Sequence, residues 1–392
     1  MSASSGSRKQ ALVLSGGGVK GAYQAGAMAE ILQPKYGFRR TAVYGISVGS
    51  INGGMLASFV GQQILDGNEP NLKVAAEKLK NYWRNDITDL SKIGKRRWVG
   101  FVIREVIWRN FHGMINVDKS IKIMREKILP ENLLRAAGEK GRPKFYAGAL
   151  NLTTGEYFNA PYDSKIIIDY VIASCMEPIV MPMWIIPKEG EEKKAWYRKR
   201  WEGMNDWYGR NFGDVKHEDR LESWLDGGIH NVAPLSDAID SGYEDIICVL
   251  CRPPKLGPGS FQGDLAAIGE RISDVVTQAL LDKDIGLAKK ISELVKEKRL
   301  DGLQVKTRDG ASRPYRNVDV TVVRPKEDLA VNIQSLAKGQ VPEMVKKGRE
   351  DAVAVMNGEY AAKFGPPRPG SGPPRTVTIS RPGSGPPQAV TT

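Results

Sequence analysis

Apolar and polar positions along the chain fall into two kinds of pattern. Short apolar runs recur at Ala11–Leu14, Ala42–Tyr44 and Asp245–Val249, each closed by Gly, Ser or Pro. Runs of this length between turn residues read as buried strands. FYAGAL and EYFNA (from Phe145 and Glu156) read as two more strands around a Thr153-Thr154-Gly155 turn. Longer segments carry a helical pattern: AYQAGAMAEIL, closed by Pro34, then Leu265–Lys298 and Asn332–Met356. Gly302–Thr307 and Asn317–Val323 look like a strand pair about the Asp309-Gly310 turn. Ile166–Cys175 fits either a buried strand or a helix, because its period decides for neither.

Two of the strand-to-helix transitions have unusual chemistry. After Ala42-Val43-Tyr44 comes Gly45-Ile46-Ser47-Val48-Gly49, a G-x-S-x-G pentapeptide leading into small residues. This is the sequence form of a nucleophile elbow, where a sharp turn pushes a serine out at its apex. Small flanking residues are required because the strained turn leaves no room for side chains. The pattern alone is weak, since a chain of this length meets it by chance roughly one time in ten. After Leu14 comes Ser15-Gly16-Gly17-Gly18-Val19-Lys20-Gly21. A glycine-rich turn before a helix exposes backbone N–H groups at the positive end of the helix dipole and suits negative charge. Gly16, Gly18 and Gly21 also satisfy G-x-G-x-x-G, but the acidic residue that a dinucleotide site expects about 20 positions on is missing. Lys20 lacks the Ser or Thr of a P-loop. An oxyanion hole is the remaining use. Further on, Ser223-Trp224-Leu225-Asp226-Gly227-Gly228 brings a carboxylate out at a strand end, where it either serves chemistry or caps a turn.

Gly16–Gly21, the Ser47 pentapeptide and Asp226-Gly227-Gly228, in this order, resemble the patatin-like phospholipase family, which pairs G-G-G-x-[KR]-G with G-x-S-x-G and a distant D-G-[GA]. Ala173–Pro178 is similar to the family's A-S-x-x-x-P segment, and Leu152–Gly155 and Asn231–Pro234 extend the likeness over roughly residues 10–255. The resemblance implies an α/β fold: a three-layer α/β/α arrangement with a mostly parallel central sheet, helical insertions and a disordered C-terminal tail. It implies a hydrolase domain over 11–364, after a flexible N-terminus (1–10), with insertions at about 61–142 and 188–221.

The resemblance also implies a lipid acyl hydrolase of phospholipase A type working through a Ser–Asp dyad. Ser47 is then the nucleophile and Asp226 the general base, with no histidine, metal or cofactor. The oxyanion donors would be N–H groups of Gly16, Gly17 and Gly18 and, by elbow geometry, Val48. Lys20, Gly21, Gly45, Gly49, Gly227 and Gly228 support the motifs. The competing mechanism is a Ser-Asp-His triad. Of His112, His217 and His230, only His230 follows the acid in the expected order, and it lies four residues away on the same segment. A non-catalytic lipid-binding or scaffold protein on the same fold is the alternative in a second class, and a nucleotide-binding enzyme the third.

A formal net charge of +12 adds a negatively charged partner or simple solubility. KRRWVGFVIREVIWRNF (Lys95–Phe111) reads as a basic amphipathic helix that either packs on the core or lies in a membrane interface. The Trp-rich stretch from Lys188 to Leu221 reads as a pinned loop, a lipid interface or a single-stranded nucleic-acid surface; nucleic acid is not the expected partner. A transient, anionic membrane surface is. The polar start, with only Ala11–Leu14 apolar behind it, is too short for a signal peptide, and no run approaches a spanning helix. The expected location is therefore cytoplasmic, peripheral to a membrane. Cys175, Cys248 and Cys251 fit a reducing compartment, and Cys248–Cys251, though formally C-x-x-C, sits in a buried strand. From 365 to 392 the chain is a Pro/Gly/Ser repeat that cannot bury a core.

Overall fold

In a computed structural model, the structure describes residues 8–38, 41–96, 115–138, 143–178, 180–187, 221–257, 265–307, 310–329, 331, 336–337 and 339–359. The first half runs β1 (Gln10–Leu14), α1 (Gly21–Ile31), β2 (Thr41–Ile46), α2 (Val48–Leu65), α3 (Leu72–Asp86), β3 (Lys95–Arg96), β4 (Ile115–Asn116), α4 (Asp118–Lys127), α5 (Pro130–Ala137), β5 (Lys144–Asn151) and β6 (Tyr157–Pro161). It continues with α6 (Ile167–Ala173), β7 (Trp184–Pro187), β8 (Leu221–Asp226), α7 (Leu235–Asp240), β9 (Asp245–Val249), α8 (Leu265–Lys296), β10 (Gln304–Lys306), β11 (Ser312–Pro314), β12 (Asp319–Val323) and α9 (Gln340–Met356).

The central sheet has the order β12-β9-β1-β2-β5-β8-β7, with β6 on the other edge of β5. From β12 to β5 every neighbour is parallel; β6, β7 and β8 are added antiparallel. Parallel strands with helices on both faces read as continuous apolar runs, which is why QALVL and DIICV carry so little alternation. Successive side chains still point to opposite faces. Leu12, Leu14, Val43 and Phe145 join α1, α2 and α3 in the larger core. Ala11, Val13, Ala42 and Tyr44 join Leu235, Leu281 and Ile285 of α7 and α8 in the smaller one. Helices, sheet and helices thus make the α/β/α fold.

Three expectations are corrected. The Gly302–Thr307 segment pairs not with Asn317–Val323 but with Ser312–Pro314, because a tight turn closed by Gly310 N–H on the Thr307 carbonyl (2.9 Å) brings the nearer residues opposite. Asp319–Val323 instead extends the main sheet in parallel to β9, where Val323 is fully buried. The last helix starts at Gln340, behind Gly339 at φ 95, rather than at Asn332. Ile166–Cys175 resolves into the helix α6, with Ile167, Val171 and Ile172 on its buried side. Of the basic amphipathic segment, Lys95 and Arg96 form a strand with Ile115 and Asn116 rather than a helix. The rest of that segment, the Trp-rich stretch, the tail, His112 and His217 lie outside the described residues, and among the described residues no helix is long and apolar enough to cross a membrane.

Candidate active site

Two strands meet head-on beneath the site. β2 runs parallel to β5 and ends with Ile46 opposite Gly148. β8 runs antiparallel to β5 and ends with Asp226 opposite Ala149. Both lie on the edge of β5 away from β6, because β6 occupies residues 146–150 on the other edge. The chain leaving β2 at Ser47 and the chain leaving β8 at Asp226 therefore arrive at one point from opposite directions. The junction has no room for side chains. A Cβ on Gly227 would lie 2.6 Å from the Gly148 carbonyl oxygen.

Ser47 sits at φ 55, ψ −128 as the residue before α2, a positive φ outside glycine that marks the strained elbow. The turn is tight enough that a Cβ on Gly45 would lie 2.3 Å from the Gly49 carbonyl oxygen, and one on Gly49 the same distance from that of Leu14. Ser174 pins it: its hydroxyl accepts the Ser47 N–H at 2.8 Å and donates to the Gly148 carbonyl at 2.5 Å. The Ser50 hydroxyl donates to the Ser47 carbonyl at 2.6 Å.

Asp226 is held by its backbone N–H on the Met176 carbonyl (3.0 Å), and its Oδ1 accepts the Gly228 N–H at 2.7 Å. It thus caps the turn Gly227–Ile229 and at the same time faces the Ser47 side chain. Burial, at 7 % exposure, pushes its pKa up to about 6; the Gly228 N–H, the Ser47 hydroxyl and the Arg252 charge pull the other way without cancelling it. A carboxyl with this pKa is ionised at neutral pH yet basic enough to accept a proton. His230 is exposed, and its ring stacks on Tyr157 at 5.3 Å between centroids.

The glycine-rich loop forms the roof. Gly16, Gly17, Gly18 and Lys20 line a cavity of about 100 Å³ together with Ser47, Asp226 and Gly228. The expectation for Gly16 as a donor is corrected: its N–H already donates to the Val232 carbonyl at 3.0 Å. What Gly16 supplies is clearance, since its position for a Cβ lies 3.3 Å from that of Ser47. Gly17 is packed against Cys251, and Gly21 against Val48, so the loop and the elbow are fitted to one another. Lys20 forms an ion pair with Asp328 at 3.0 Å, which fixes the loop rather than leaving a loose cation in the site. Burial pushes the Cys248 and Cys251 thiols up to about 12, so both are inert at neutral pH. Among the described residues no cluster of His, Cys, Asp or Glu could hold a metal ion.

Sequence reasoning missed the groups that hold these parts. Trp83 Nε1 donates to Asn52 Oδ1 at 2.7 Å, and Asn52 Nδ2 donates to Gln24 Oε1 and to the Gly21 carbonyl, both at 3.0 Å. Gln24 Nε2 donates to the carbonyls of Ser15 (2.8 Å) and Val249 (3.2 Å). This buried relay ties α3, α2 and α1 to the base of the glycine-rich loop. Polar Gln24 and Asn52, each inside an otherwise small and apolar helix, were its only trace in the sequence. Arg252 was missed as well: it lines the cavity, paired with Asp274 at 2.5 Å.

No curated protein matches the chain. Among solved structures, the crystal structure of VipD from Legionella pneumophila is similar at 12 % identity, covering 90 % of this chain and 67 % of that one, with a TM-score of 0.34. The family model for patatin-like phospholipases matches residues 12–239, which take in both Ser47 and Asp226. With more than half of its length so matched, the chain belongs to the patatin-like phospholipase family of lipid acyl hydrolases.

Proposed function

We propose that the protein is a phospholipase A-type serine esterase that cleaves fatty acyl esters of membrane lipids through a Ser47–Asp226 dyad. The observation that carries this reading is that β2 and β8 end next to each other on β5 and so put Ser47 and a buried carboxylate with a pKa near 6 in one cavity. As the Ser47 oxygen attacks the acyl carbonyl carbon, its proton passes to Asp226. The tetrahedral oxyanion is held by backbone N–H groups of Gly17, Gly18 and Val48, with Gly16 left out because its N–H is engaged. Collapse breaks the ester C–O bond, and the leaving alcohol takes the proton from Asp226. Water then attacks the acyl-serine with Asp226 again as base, releasing the fatty acid and restoring the serine. His230 takes no part, and the enzyme works at a membrane surface from the cytoplasmic side.

Turnover of a p-nitrophenyl ester and of phospholipid vesicles by wild type, Ser47→Ala, Asp226→Asn and His230→Ala tests this. Both dyad variants are expected to lose at least about a thousandfold in kcat, and His230→Ala to keep most of the rate. A His230→Ala loss as large as that of Ser47→Ala would overturn the dyad, and absence of serine-dependent turnover on either substrate would overturn the enzyme.

A further inference from the structure

Helix α8 carries apolar residues on both sides. Its inner side buries Leu281, Ile285 and Ala288 against the sheet, while Val275, Val276 and Leu280 on the outer side are 50 %, 50 % and 40 % exposed. Ile229, on the turn that follows Asp226 and touches α8, is 42 % exposed. Of the twelve large apolar side chains exposed among the described residues, three lie on this stretch of α8, a fourth is on the turn that touches it, and a fifth, Leu287, continues the same helix face. Val276, Leu280 and Leu287, at i, i+4 and i+11, fall within about 40° of one another around the helix. Single exposed apolar residues need no explanation, but a cluster does.

Its position supplies one. Ile229 lines the Ser47 cavity, and so do Asp274 and Thr277, the α8 residues on either side of Val275 and Val276. The cavity itself is about 100 Å³, well below the roughly 300–1,000 Å³ of sites that engulf a drug-sized ligand. It can hold the ester and its first carbons, and the remainder of a lipid must stay outside the mouth. Of the patch, Ile229 lines the cavity itself, and Val276 and Leu280 are one and three residues along α8 from the cavity-lining Thr277. Exposed Lys283 and Lys290 follow at i+7 and i+14 from Val276 on the same face, and the chain's net charge is +12.

We infer that the outer face of α8 around Val276 and Leu280, with Ile229, docks on a lipid bilayer bearing anionic headgroups and brings acyl esters to Ser47. The purpose of this docking rests on the acyl-hydrolase reading, but its measurement does not. Val276 and Leu280 enter the acyl boundary while the long Lys283 and Lys290 side chains on the same face reach back to the headgroups.

The test is co-sedimentation of the full chain with vesicles of phosphatidylcholine alone and of phosphatidylcholine mixed with phosphatidylserine. Wild type is expected to partition onto the mixed vesicles, more weakly as salt rises. The pair Val276→Glu/Leu280→Glu is expected to lower that partitioning about tenfold or more, the loss of two half-buried aliphatic side chains from the acyl layer. The milder pair Val276→Ser/Leu280→Ser is expected to lower it in the same direction, and circular dichroism melts check that both pairs fold. Leu303→Glu, an equally exposed apolar position beyond the far end of α8 and about 30 Å from Val276 along the helix, is expected to bind like wild type. Wild type that stays in solution with both vesicle types overturns the inference. So does unchanged partitioning of the folded pairs, or an equal loss in Leu303→Glu. Sedimentation reads binding alone, so absence of ester turnover would sink the acyl-hydrolase reading and leave this result intact.

Discussion

The Ser47 N–H donates to the Ser174 hydroxyl at 2.8 Å, and this hydroxyl donates to the carbonyl of Gly148, the residue opposite Ile46 in the sheet. Ser174 therefore fastens the strained elbow to the strand beneath it. Ser174→Ala leaves a buried N–H and a buried carbonyl without partners, which costs about 1–3 kcal/mol for each group that finds no water. The elbow is then free to relax, and a displaced nucleophile loses on the order of tenfold to a hundredfold in kcat with little change in KM. Single-turnover acylation checks this. A fully active, equally stable Ser174→Ala would show that the elbow is held from elsewhere.

Asp226→Asn separates function from stability. The carboxyl goes from 3.8 to about 6 on folding, chiefly by burial, so its ionised form is less stable in the folded state. A raised folded pKa means stability that is present below the unfolded pKa and lost as pH rises through about 6. At pH 7.5 the neutral amide removes this cost, and Asn can still accept the Gly228 N–H. The variant is expected to be inactive yet more stable than wild type by roughly 2–3 kcal/mol at pH 7.5, with the gap closing toward pH 4. Paired urea titrations at the two pH values measure it.

In the proposed dyad the same carboxyl sets the acid limb of the rate. Only ionised Asp226 can take the Ser47 proton, so log kcat/KM is expected to rise with unit slope up to about pH 6 and then level off. Arg252 holds the pKa down by its charge, so Arg252→Gln is expected to move the midpoint upward. A midpoint near 4 would mean that the carboxyl is hydrated in solution.

How much of this was legible follows from the range of each interaction. β1, β2 and β9 are apolar runs bounded by turn residues, a local signal. The elbow and the D-G-G turn are local too, which is why Ser47 and Asp226 could be singled out. The abutment of β2 and β8 was not legible, because it depends on both strands choosing the same edge of β5, about 80 to 180 residues away from each other in the chain. Gly16 was misread for the same reason: its partner, the Val232 carbonyl, lies far along the sequence. The β12 strand was assigned to a nearby hairpin, since sequence separation favours short closures and an apolar Asp319–Val323 gives no hint of its β9 partner.

The Trp83–Asn52–Gln24 relay is a buried polar network in which each side chain serves the next. Asn52→Leu keeps the volume and orphans the Trp83 N–H and the Gln24 Oε1. Destabilisation of about 3 kcal/mol is expected. Because Gln24 in turn holds the Ser15 carbonyl at the base of the glycine-rich loop, kcat is expected to fall further than that of Leu303→Ala, a change that leaves the relay untouched. Guanidinium unfolding beside ester kinetics reads both effects.

Helix α9 lies beyond residues 12–239, yet it packs on α1 with the two backbones in close approach. A Cβ on Gly348 would stand 2.0 Å from the Tyr23 carbonyl oxygen, and one on Gly26 would stand 1.9 Å from that of Val345. Each helix thus uses a glycine to admit the backbone of the other, and the Tyr23 hydroxyl then donates to Asp351 at 3.0 Å. Gly348→Ala forces the helices apart, strips that hydrogen bond and loosens Ala22 and Tyr23 next to the glycine-rich loop. A loss of about 3 kcal/mol or more is expected. Gly358→Ala, at φ 74 with nothing within 4 Å, carries only the left-handed backbone strain and is expected to cost about 1 kcal/mol. Thermal melts of the two variants decide it, and equal melting temperatures would mean that α9 is not seated on α1 and that the enzyme's core ends before it.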